Sequence, residues 1–270
     1  MIKLTLQKLN PKRMAPRAAI CALSAITLIL AAYIAIVGPG FNEKRFVSRN
    51  ISDGARRRAF YLGIAGAVDD PKLALKYYEK AIETDPGYSE SYRMIGLLRR
   101  DMGDIDGAIA DITRSIELAD RDYAYIGYLS RGDLFLKTGK YDEAIKDFDT
   151  AIKMEENYAT LYNRGEAKAK SGDPAGAIRD FDRGIELALR EKTPFVRILY
   201  LQRANAKFEQ KNYKGAMADL DLILADKAMR DLFGAAYHMK SRIYEAMGDK
   251  QKSAENFMKA DAFGFYKAAK

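Results

Sequence analysis

Four hexapeptides of one design recur along the chain: AIADIT at Ala108–Thr113, AIKDFD at Ala144–Asp149, AIRDFD at Ala177–Asp182 and AMADLD at Ala216–Asp221. Their starts lie 36, 33 and 39 residues apart. A period of that size points to stacked supersecondary units, each burying its apolar face against the next, rather than to one globular core. The fullest copy of the unit, Tyr128–Ala151, reads as two helices interrupted at Thr138-Gly139-Lys140. Small residues (Gly132, Ala144, Ala151) alternate there with bulky ones (Tyr128, Phe135, Tyr141, Phe148). A small residue on each of two joined helices lets the backbones approach closely while the aromatics fill the space on either side, which is the chemistry of an antiparallel helix pair. No stretch alternates in the β-branched manner of a strand, so the chain reads as all-α.

A small residue, a bulky aromatic, a Gly-Asp or Gly-Lys turn and then Ala-(Ile/Met)-x-Asp-(Phe/Leu/Ile) resembles the tetratricopeptide repeat, a pair of antiparallel helices per unit. The resemblance covers residues 55–262 and departs from the family in having no tryptophan: Tyr92, Tyr128, Tyr200 and Tyr237 stand in that place. It implies a right-handed superhelix of about six helix pairs over residues 54–262. The first pair is the least regular, with Asp69-Asp70-Pro71 as a cap followed by proline at the first helical position. The second (Ser89–Leu118) turns at Met102-Gly103-Asp104, and the fourth (Tyr158–Leu189) at Ser171-Gly172-Asp173-Pro174. The fifth starts at Thr193-Pro194, and its turn at Gln210–Tyr213 has lost the glycine. The sixth turns at Gly248-Asp249, with Ser253, Phe257 and Ala260 as packing residues. In Asp147-Phe148-Asp149 and Asp180-Phe181-Asp182 two carboxylates flank a core aromatic. Two apart on a helix, they do not face one another, and they are expected as its solvated flanks.

The net charge of +8 raises the question of a polyanionic partner. Residues 1–58 hold 11 of the 45 Lys and Arg but only two of the 37 Asp and Glu, which leaves 34 basic against 35 acidic residues in the remainder. The repeats are thus nearly neutral and carry no electrostatic footprint for nucleic acid. Residues 1–17 read as a basic cytoplasmic tail. Ala18–Val37 is twenty residues without a charge, about 30 Å as a helix and so the thickness of a bilayer's hydrocarbon. Gly38-Pro39-Gly40 ends it, and residues 38–53 form a juxtamembrane linker. An uncleaved single-pass anchor is favoured over a cleaved signal peptide: the apolar run is too long for a signal and no Ala-x-Ala follows it. Five positive charges precede the span, against three in the fifteen residues after it, which favours a cytoplasmic N-terminus and an extracytoplasmic, or periplasmic, repeat domain. The lone Cys21 falls inside the span and leaves the exposed part without a thiol.

Catalytic chemistry is thin. The single histidine, His238, has no Cys or His to join it outside the span, and no phosphate-binding loop or nucleophile elbow occurs. No enzyme activity and no cofactor or metal is expected. What remains is binding. The resemblance implies a concave face lined by the first helix of each pair, at the residues one and five beyond Tyr92, Tyr128, Leu161, Tyr200 and Tyr237. These are Arg93 and Leu97, Leu129 and Asp133, Tyr162 and Glu166, Leu201 and Asn205, and His238 and Arg242. The Lys/Asn/Arg constellation with which some family members grip a peptide carboxylate is not reproduced: Leu129, Asp133 and Asn163 stand instead. The reading is a membrane-tethered scaffold or assembly factor that takes a protein or peptide segment in this groove. The alternative is an envelope polysaccharide or peptidoglycan binder, suggested by 17 tyrosines. Residues 263–270 form a short C-terminal cap, expected to extend the last helix with its aromatics folded back on Phe257. Otherwise that end is completed by another chain, and a homo-oligomer forms through it.

Overall fold

The computed structural model describes residues 53–265. Over that span the chain forms twelve α-helices and one short 3-10 helix, with no strand among the described residues. They fall into two compact units, the first ending at Ala119 and the second beginning at Asp120. The first holds α1 (Gly54–Ala65), α2 (Pro71–Thr84), α3 (Ser89–Asp101) and α4 (Ile105–Leu118). The second holds α5 (Arg121–Lys137), α6 (Tyr141–Met154), α7 (Tyr158–Lys170), α8 (Pro174–Arg190), α9 (Val196–Glu209), α10 (Tyr213–Ala225), α11 (Phe233–Ala246) and α12 (Lys250–Ala262). The 3-10 turn Lys227–Leu232 joins α10 to α11. The apolar run 18–37, with its basic tail and the linker as far as Ser52, lies outside the described residues, as do Tyr266–Lys270. Among the described residues no helix is long and apolar enough to cross a membrane.

Local chemistry explains why the chain breaks where it does. The second helix of a pair usually begins at an Asp or Asn whose side chain accepts from an orphan amide of the first turn. Asp104 accepts from the Gly107 amide at 3.0 Å, Asp173 from Gly176 at 2.8 Å and Asn212 from Gly215 at 3.0 Å. The first helix ends in a left-handed residue, Gly103, Gly139, Gly172 or Gly248, with φ between 79° and 90°. Where the fifth pair lacks that glycine, Lys211 takes the position at φ 58°. Behind each turn the helices meet through the small residues. A Cβ added to Gly96 would come within 2.6 Å of Ile112, one on Gly132 within 2.7 Å of the Phe148 ring, and one on Gly165 within 2.6 Å of Phe181. The glycines therefore make the slots into which the large residues of the partner helix fit, and Ala108, Ala144, Ala177 and Ala216 are fully buried beside them.

The first carboxylate of each motif corrects the expectation of solvated flanks, whereas Asp149 and Asp182 keep it, with side chains 44% and 51% exposed. Asp147, Asp180 and Asp219 are 5%, 4% and 1% exposed. Each accepts two hydrogen bonds from an arginine sixteen residues earlier, on the first helix of its own pair. Arg131 Nε and Nη2 reach Asp147 at 2.8 Å each, Arg164 reaches Asp180 at 2.9 and 2.6 Å, and Arg203 reaches Asp219 at 3.0 and 2.6 Å. The second carboxylate of the motif faces the next pair: Arg164 Nη1 donates to Asp149 at 2.7 Å, Arg203 Nη1 to Asp182 at 2.6 Å and Lys240 to Asp221 at 2.8 Å. A planar guanidinium with five donors can hold both carboxylates at once, which an ammonium does less well. The two acids do point to different neighbours, as their spacing requires; what burial adds is that both neighbours are cations.

The C-terminal end corrects a second expectation. Helix α12 does not run on past Ala262. Gly264 takes φ 77°, and the Phe265 amide donates back to the Ala260 carbonyl at 3.2 Å, so the chain turns off the helix axis. Phe263 packs against Phe233 and Tyr237, with ring centroids 5.4 and 5.7 Å away, and Phe265 stacks on His238 at 4.6 Å. Phe263 and Phe265 thus pack onto α11.

Candidate functional site

In the second unit the first helices of successive pairs, α5, α7, α9 and α11, touch one another directly. Residues four apart on such a helix lie one turn apart on the same face. Leu129 and Asp133, Tyr162 and Glu166, and Leu201 and Asn205 are therefore two rows across three adjoining helices, and all six are half-buried. The row nearer the helix starts is apolar. Leu129 packs against the Phe148 core and Leu201 against the cluster around Leu220 and Ile223. Tyr162 sits between Phe195 and Phe181, at 5.4 and 6.3 Å.

The second row is polar and internally braced. Asp133 pairs with Lys137 at 2.8 Å and Glu166 with Lys170 at 2.8 Å, both one turn along the same helix. The Tyr162 phenol lies beside Glu166 of its own helix and Gln202 of the neighbouring one. Burial first, and then the Glu166 charge, push its pKa above the ordinary tyrosine value. A tyrosine so placed stays neutral at any physiological pH.

The remaining four residues are placed differently. Arg93 and Leu97 belong to the first unit, where Arg93 is engaged by Glu90, its Nε donating at 2.7 Å. His238 lies under the Phe265 ring. Burial, then the nearby Arg242 charge, lower its pKa from the ordinary value. The Arg242 guanidinium in turn lies 4.8 Å from the centre of the Phe208 ring. Two apolar residues that the sequence reading did not single out extend the first row by one turn: Ile126, 39% exposed on α5, and half-buried Ile198 on α9. Their spacing of three from Leu129 and Leu201 was visible in the sequence. Gln202 had no such signal, because its role depends on the neighbouring helix. Among the described residues no group of three His, Cys, Asp or Glu side chains could hold a metal ion.

Comparison with known proteins bears on the whole array. A family profile described as tetratricopeptide repeat matches residues 93–160, 129–188 and 162–230, and a second with the same description matches residues 234–262. Among curated proteins, the chain is 28% identical over 201 residues to DnaJ homolog subfamily C member 3 of Gallus gallus, across 73% of this chain and 35% of that one. It is 36% identical over 91 residues to serine/threonine-protein phosphatase 5 of Mus musculus, across 33% of this chain and 17% of the phosphatase. The chain thus spans about a third or less of the length of these relatives. Among solved structures it is similar to YrrB, described as a TPR protein with an unusual peptide-binding site. The TM-score is 0.54 at 20% identity, over 69% of this chain and 91% of that one, which is a likeness of fold.

Proposed function

Since the chain belongs to the tetratricopeptide repeat family, whose members generally mediate protein–protein interactions, we propose that it is a non-enzymatic scaffold or assembly factor. It takes an extended or helical segment of another protein across α5, α7 and α9. The observation that carries this is the paired rows on those helices: apolar Leu129, Tyr162 and Leu201 beside polar Asp133, Glu166 and Asn205, all six half-buried, so that each keeps part of its surface open beyond the contacts it makes within the array. Such a surface supplies apolar anchors within a polar rim, the arrangement that binding surfaces favour. A photo-crosslinking residue at Leu201 should trap a protein in cells, whereas one at Arg179, exposed on a second helix, should not. Equal capture at both positions, or none at either, contradicts the reading.

The tether belongs to the same proposal. Residues 18–37 anchor the chain in a membrane, with the repeats on the extracytoplasmic side. The support is the uncharged run and the five cations before it. A reporter that needs export, fused after Lys270, should be active and should stay with membranes through an alkaline wash. Activity only from a cytoplasmic reporter, or release by the wash, would remove the tether. The polysaccharide alternative gains no support from the tyrosines that motivated it. Tyr92, Tyr128, Tyr141, Tyr200, Tyr213, Tyr237 and Tyr244 are all half-buried among packing residues. Retention of the protein on purified cell-wall sacculi, with no protein adduct at Leu201, would favour that alternative instead.

A further inference from the structure

At three successive levels the outer face of a helix pair ends in a carboxylate that receives a cation from the next pair: Asp149 with Arg164, Asp182 with Arg203, and Asp221 with Lys240. In the sixth pair the equivalent residue is Met258, 65% exposed. The buried acid two residues earlier is likewise replaced, by Asn256, whose side-chain amide donates to the Lys252 carbonyl at 2.8 Å rather than accepting from an arginine. This face is therefore not built like the internal ones. It cannot receive the cation by which every following pair in the second unit is held.

Its surroundings say what it can receive. Met258 shares a shallow apolar depression with Phe257, and on the rim of the same depression stand Glu245, at the end of α11, and Lys250, at the start of α12. Neither forms an ion pair with a described residue, whereas their neighbours Asp249 and Lys252 pair with each other at 3.0 Å. We propose that this face binds a second copy of the chain about a two-fold axis passing near Met258, with Glu245 of each copy meeting Lys250 of the other.

Two-fold pairing accounts for both features together. A residue on the axis meets its own twin, so the aspartate found at the internal levels would be repelled there, and an uncharged flexible thioether is tolerated. Residues off the axis meet non-identical partners, so one acid and one base on the rim satisfy each other across the interface. The pairs that follow one another within the second unit use the opposite chemistry, an acid on this face and a cation on the incoming pair. The inference is independent of the groove on α5, α7 and α9, since the faces share no residue.

The full chain, in detergent and in a Cys21→Ser background, carries Met258→Cys and is treated with a mild oxidant. A disulfide requires the two Cα atoms to come within about 7 Å, so a covalent dimer should form in preference to the same experiment at Leu222→Cys, a site 48% exposed on α10. Glu245→Lys and Lys250→Glu should each lower the yield by about fivefold, the scale of turning one exposed ion pair into a like-charge contact. The double variant should restore it, with helicity by circular dichroism unchanged throughout. Crosslinking at 258 no greater than at 222 overturns the proposal. So does a double variant that fails to recover. An adduct in cells to a different protein, with the purified chain remaining uncrosslinked, overturns it as well and assigns the face to that other partner.

Discussion

The tightest constraints in this protein act on single residues, and glycine shows that one substitution can have opposite signs at two places. Gly132 lies against Phe148, which is fully buried and has no room to withdraw. Gly132→Ala should therefore destabilise by about 1–3 kcal/mol, the usual effect of extra volume in a packed core. Gly63 lies within α1 and has nothing within 4 Å of an added Cβ. Gly63→Ala should stabilise by up to about 1 kcal/mol, through helix propensity alone. Thermal melts of the two variants should move in opposite directions, and parallel shifts would contradict the assigned helix contacts. The arginine forks are equally position-specific. Asp180 and Asp219 each have a lysine as a second cation, Lys168 and Lys207 at 2.9 Å. At the corresponding place beside Asp147 stands Phe135. Arg131→Met should thus cost about 3 kcal/mol by leaving a buried carboxylate exposed to the core, and more than either Arg164→Met or Arg203→Met. Denaturant titration of the three variants checks the ranking, and equal losses would mean the lysines do not substitute.

At the level of elements, the helices are started by side-chain caps and ended by left-handed turns, but what seals the last one is the Phe263-Gly264-Phe265 turn. It sets an aromatic on the only histidine and lowers that histidine's pKa through burial, with Arg242 as a second cause. A histidine whose folded pKa lies below its unfolded value of about 6.5 favours the native state most when neutral. Its contribution is complete above that pH. It declines as pH falls through it, until the folded ring protonates as well. His238→Phe keeps a ring for Phe265 to stack on and removes the proton, so its melting point should fall less between pH 7 and pH 5 than that of the unaltered chain. An identical slope would show that the histidine makes no such contribution.

At the scale of the molecule, the ionic ladder belongs to the second unit. The second pair has Ile95 where later pairs have Arg131, Arg164 and Arg203, and Thr113 where they have Asp149 and Asp182. Its own buried-side pair, Arg99 with Asp111 at 2.7 Å, is made from a different turn of the helix. A cation held by two pairs at once adds a nearest-neighbour term, the quantity that sets cooperativity in a repeat array. Hydrogen exchange should accordingly find the amides of α6 to α10 opening together, while separate steps for each helix pair would show the ladder to be too weak to couple them.

Much of this was legible in the chain itself. The repeating hexapeptide, the Asp-Pro and Gly-Asp turns and the alternation of small with large residues specify helix pairs, because these signals act within one or two helical turns and need no distant partner. The six residues of the candidate face on α5, α7 and α9 follow from the same register, since helical spacing alone puts them in rows. The fate of the paired aspartates does not follow from it. An aspartate two residues from another on a helix has the same sequence neighbourhood whether it meets water or a guanidinium sixteen residues away. Only the approach of the first helix to the second, with the next pair closing over both, decides that Asp147, Asp180 and Asp219 are buried in arginine forks. The turn at Gly264 is decided in the same way: glycine can continue the helix or take the left-handed conformation that ends it, and the aromatic surface of α11 is what draws Phe263 and Phe265 onto it.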